Sequence, residues 1–187
     1  MISRTTVTIA LLIVSLSCSL ENIDATLARE ESKASEASLS QLKQGEAKGS
    51  LTYGNTKVEF KYSHARRVKA TYTERGYVYA LLISDQPFTE DIKRLKTEDD
   101  FRVSARISNS LLLIVNLEGE VLNRKWNLSV QNGTRSESKL YPKGDRPTVN
   151  LSEGAIQGEL MEKGKIPEEI PVEWNYQVMF KTSIIKE

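Results

Sequence analysis

The chain has 187 residues, with 26 Lys and Arg against 25 Asp and Glu, one histidine and one cysteine. A net charge near zero withholds the long-range attraction that drives binding to nucleic acid or acidic membrane surfaces, so nucleic acid is not an expected partner. One cysteine rules out an intramolecular disulfide, and with a single histidine it supplies too few ligands for a zinc site. No cofactor or metal is expected, and stability must come from an ordinary core, which this length allows.

Arg4 precedes an uncharged apolar run, residues 5–16, which Glu21 and Asp24 close off. A membrane span needs about 20 such residues. A charged start followed by a shorter apolar centre is instead the pattern of a secretory signal. Residues 1–25 are therefore read as an export signal, with cleavage after Ala25 or near Ser17 and Ser19, and the mature protein is expected in the periplasm or at the cell surface. Cys18 ends Val14-Ser15-Leu16-Ser17-Cys18, which resembles a bacterial lipobox: Ser17 is suitably small, whereas Ser15 stands where a branched apolar residue is usual. Cys18 is thus the candidate lipidation site of a bacterial lipoprotein, and that lipid would be the link to a membrane. The competing expectation is a cysteine discarded with the signal.

Residues 26–47 are rich in Ala, Ser, Glu, Lys and Gln, with no aromatic residue and no proline. Too little apolar surface is available there to offset the entropy of ordering the chain. A flexible spacer is expected, of the kind that holds a tethered domain clear of a bilayer.

Residues 48–187 read as a β domain. Val58, Phe60 and Tyr62 alternate with Lys57, Glu59 and Lys61, as in a half-buried strand, and Gly54-Asn55 is a hairpin turn joining it to residues 50–53. A bend is expected at His64, before a strand in which Val68, Ala70 and Tyr72 alternate with Arg67, Lys69 and Thr71. Residues 77–84 and 111–115 are apolar on both faces, which requires cover on both sides. The expected cover is a short helix capped by Thr89, with Glu90 and Asp91 in its first turn and Phe88, Ile92 and Leu95 as its packing stripe. Glu98-Asp99-Asp100 is then a solvated loop, lacking the alternation of a calcium site.

A further hairpin spans Leu117 to Val121, and residues 122–130 place Leu122, Trp126, Leu128 and Val130 on an inner face that Arg124 interrupts. Asn132-Gly133 signals a turn. Shorter strands follow near residues 138–141, 148–151 and 155–161. In the last strand Val172, Trp174, Tyr176, Val178 and Phe180 face one way, with Glu173, Asn175, Gln177 and Lys181 opposite. The fold class is mostly β: an antiparallel β-sandwich or barrel of roughly eight to ten strands with one short helix.

Reactive constellations are scarce. No Gly-x-Ser-x-Gly elbow accompanies His64, and no glycine-rich phosphate cradle ends in Lys-Ser/Thr. The candidate binding residues are His64, Arg66, Arg67 and Lys69. Arg67 and Lys69 would form a cationic strip beside Lys57, Glu59 and Lys61 if the two strands pair, suited to an anionic glycan, lipid headgroup or acidic partner. An ordinary solvated strand face is the plainer expectation. The expected function is an exported, non-catalytic β-sandwich that binds an envelope protein or glycan. Its rivals are a hydrolase of envelope glycans or esters, using carboxylates or a serine with His64, and a structural or assembly protein that pairs through a free sheet edge.

Overall fold

A computed structural model describes residues 38–71, 76–88, 94–106, 109–131, 133–167 and 171–185. The chain divides at Ser40, and the unit Gln41–Glu187 carries every strand. The segment read as an export signal, Cys18, most of the expected spacer, residues 89–93 of the expected helix and Asn132 lie outside the described residues. Among the described residues no helix is long and apolar enough to cross a membrane.

The elements in chain order are β1 (Glu46–Tyr53), β2 (Thr56–Lys69), β3 (Tyr77–Ser84), α1 (Glu98–Ser104), β4 (Ser110–Val115), β5 (Val121–Val130), β6 (Gly133–Leu140), β7 (Asn150–Ser152), β8 (Ala155–Ile166) and β9 (Val172–Ile185). They form one antiparallel sheet of nine strands in the order β6-β5-β4-β3-β2-β1-β9-β8-β7. β1 starts at Glu46, and Ala47 is already in the core. At the far end of β2 a short parallel pairing joins Ala65 to Ile184 and Arg66 to Ile185.

The sheet is curled, and its concave side holds the larger core, including Leu51, Phe60, Ala65, Leu81, Leu113, Trp126, Ile156, Trp174 and Phe180. All five alternating residues of the last strand pack there as expected, Val172 less deeply than the other four. Beyond the ladders, the segment before β7 bonds to the β4–β5 hairpin: Val149 N–H donates to Gly119 O at 2.9 Å and Val121 N–H to Pro147 O at 2.8 Å. Only glycine fits at 119, because φ is +88° and a Cβ would stand 2.6 Å from Val149 O.

Two strands change phase midway. Phe60 faces the concave core, yet so does Ser63, through its pairing with Ile83, three residues on. Val121 and Arg124 both face inward, beside a register shift between Ile114 and Val115. Each slip is a bulge that adds curvature. The expected bend at His64 does not occur: β2 runs unbroken through it, and what breaks is the alternation. The slip in β5 likewise puts Leu122 on the convex face rather than the inner one.

On the convex side α1 covers β2, β3 and β4. Phe101 and Ala105 pack on Val68, Val78, Ala80, Leu82, Leu112 and Ile114, with Phe88 and Leu95 alongside. The acidic run read as a loop is the first turn of this helix. Thr97 caps it: Asp100 N–H donates to Thr97 Oγ1 at 3.2 Å and Thr97 N–H to Asp100 Oδ2 at 2.9 Å. A carboxylate at the third helical position completes this reciprocal cap.

Candidate functional site

The strip expected around His64 is divided between the faces. Pairing with Leu82 and Ala80 puts His64 and Arg66 on the side of α1, whereas Arg67, opposite Tyr79, and Lys69 belong to the concave side. Lys57, Glu59 and Lys61, on the stretch before the phase slip, face away from Val58 and Phe60 and so away from the concave side. These three charges therefore do not form one strip with Arg67 and Lys69. His64 lies against Phe88, with ring centres 5.8 Å apart, and burial lowers its pKa from the ordinary histidine value. Its Nε2 is buried with no hydrogen-bond partner among the described residues.

Inside the curl the residue that interrupts β5 organises a polar cluster. Arg124 is 1 % exposed and its guanidinium lies 4.5 Å from the Trp174 ring centre. Its Nε donates to Glu162 Oε2 at 2.7 Å and its Nη2 to Glu137 Oε1 at 3.0 Å. The same Glu162 oxygen accepts from Tyr141 Oη at 2.8 Å and Tyr176 Oη at 3.1 Å, and Lys139 pairs with the other. Burial alone would raise the Glu162 carboxyl, but the bonds from Arg124, Lys139 and Tyr141 outweigh it and hold the pKa at about 2. Burial, reinforced by the carboxylate, pushes the Tyr141 hydroxyl up to about 12, and Tyr176 is raised as well, by burial and then by Tyr141 and Glu162. Glu162 thus stays ionised and both tyrosines stay protonated through the neutral range. The cluster ties β5 and β6 to β8 and β9 across the hollow of the sheet.

At one end the concave side opens. Arg67, Tyr77, Tyr79, Leu151, Ser152, Glu153, Gly154 and Ile184 line a cavity of about 420 Å³. Tyr79, Leu151 and Ile184 are the incompletely buried fringe of the main core, so the floor is apolar. The Arg67 guanidinium lies 4.6 Å from the centre of the Tyr77 ring and makes no ion pair among the described residues. The opposite wall is the β7–β8 turn, held in place by Ile184 N–H donating to Gly154 O at 2.7 Å. Of the four expected binding residues, the structure brings only Arg67 into this cavity.

Among the described residues no group of three or more His, Cys, Asp or Glu side chains is placed to hold a metal ion. No protein-family model matches the chain, and no significant match is found among the curated proteins or the solved structures. Sequence reasoning missed the aromatic and apolar walls of the cavity, because Tyr77, Leu151 and Ile184 come from three separate strands. It also missed Glu162, although the break made by Arg124 in an apolar face was a signal that a buried counter-charge had to exist.

Proposed function

We propose that this is an exported, non-catalytic β domain of the bacterial envelope that binds another envelope component through the open end of its curled sheet. The observation that carries this is the amphipathic cavity, in which an arginine without an ion-pair partner among the described residues stands over an apolar floor. Its volume falls in the range of ligand sites, about 300–1,000 Å³. A domain carried on a spacer behind an export signal would present such an end to its surroundings. The fixed protonation states around Glu162 favour binding over hydrolysis, since a general acid or base works best with a pKa near the working pH. Among the described residues His64 has no carboxylate to orient it, and it lies on the opposite face from the cavity.

Assembly through a sheet edge is the second reading, favoured by β6, which among the described residues pairs with β5 alone along its length. Against it, Arg135, Glu137 and Lys139 lie on the concave face of that edge strand, and charges so placed oppose strand addition.

The test is co-sedimentation of the full chain with envelope fractions. Arg67→Glu should abolish retention and Lys61→Glu, on the other face of the same strand, should leave it intact. Equal retention of both variants refutes binding at the open end. Export is checked separately: deletion of residues 1–16 should leave the protein inside the cell, and Cys18→Ser should release it from the membrane fraction if Cys18 is acylated.

A further inference from the structure

Building on the binding role proposed for this cavity, we infer that its ligand is a single-chain anionic amphiphile. A carboxylate head sits at Arg67, and the chain lies across Tyr79, Leu151 and Ile184.

Three observations lead there. The first is the cation. Arg67 lies over the ring of Tyr77 and pairs with no carboxylate among the described residues, and a planar guanidinium can offer two parallel N–H groups to a two-oxygen acceptor. The second is the floor: Tyr79, Leu151 and Ile184 pack against the main core yet remain partly open, and an apolar chain laid on them removes that surface from water. The third is Glu153, which lines the same cavity. Its negative charge penalises a second charge on the ligand, so a monoanionic carboxylate fits better than a dianionic phosphate head. The walls are preformed, since the β7–β8 turn is bonded to β9 and Arg67 and Tyr77 lie on paired strands, so little ordering is needed on binding.

The experiment titrates the full chain with dodecanoate, dodecanol and dodecyltrimethylammonium, each below its micellar concentration, and follows binding by calorimetry. Dodecanoate should bind one to one and at least about tenfold more tightly than either of the others, as expected for one charge-assisted bidentate contact. Arg67→Gln should remove that preference, bringing dodecanoate to the level of dodecanol, while Lys61→Gln should change nothing. Equal affinity for the anionic and cationic chains, or an unchanged preference in Arg67→Gln, overturns the inference. If dodecanoate fails to bind while envelope retention still depends on Arg67, the ligand class is wrong and the site stands; if neither depends on Arg67, both fall.

Discussion

The guanidinium carbon of Arg124 stands 4.5 Å from the ring centre of Trp174, while its N–H groups reach carboxylates on β6 and β8. A charge with 1 % exposure needs such partners, because removing one side of a buried pair leaves the other desolvated and unmatched. Glu162→Gln is therefore expected to cost about 3 kcal/mol. Arg124→Met should be similarly damaging, and the double variant should cost about 1–3 kcal/mol less than the sum of the two. Chemical unfolding of the full chain measures all three; strict additivity would mean that the pair is not coupled.

The same cluster sets a dependence on pH. The Glu162 carboxyl has a pKa of about 2 in the folded protein, against about 4.3 when unfolded, so the unfolded chain takes up the proton first. The stability it contributes is complete above about pH 4.3 and is lost as pH falls toward 2. His64 acts earlier with the same sign: burial lowers its folded pKa, so protonation of the unfolded chain begins to cost stability below about pH 6.5. Unfolding midpoints measured from about pH 8 downward should decline in two stages. His64→Leu should flatten the upper stage and Glu162→Gln the lower.

The aromatic face of β9 gives a third expectation. Trp174→Ala removes a side chain that is 3 % exposed and should cost about 3–5 kcal/mol, whereas Gln177→Ala, on the other face, should change stability by less than about 0.5 kcal/mol. Gly164→Ala tests the same packing from the neighbouring strand. Its Cβ would stand 2.6 Å from Trp174 Cζ2, so about 1–3 kcal/mol of overpacking strain is expected. Equal unfolding midpoints for Trp174→Ala and Gln177→Ala would show that the indole does not occupy the core.

How much of this was legible in the sequence depends on whether the alternation keeps its phase. In β9 it does from Val172 to Phe180, and the inward set read from sequence is the one in the core. In β2 and β5 a bulge shifts it, and a two-residue period cannot distinguish a bulge from a bend, which is why His64 read as a corner and Leu122 as an inner residue. Thr97 was passed over as a cap because the acidic run after it reads as a solvated loop, although the carboxylate three residues on closes the reciprocal bond. Glu162 was hidden for a different reason. It meets Arg124 from 38 residues away, and only the register of β8 against β9 and the curl of the sheet bring the two together.

The most direct test of the open end as the working surface is site-specific photo-crosslinking of the full chain in living cells. A photoreactive phenylalanine analogue would replace Tyr77, at the cavity rim, or Met161, 76 % exposed on the convex face of β8. Position 77 should give an adduct with an envelope component that disappears when Arg67→Glu is added, and position 161 should give none. Adducts of equal yield from both positions, or an adduct at 77 that survives Arg67→Glu, would contradict the assignment.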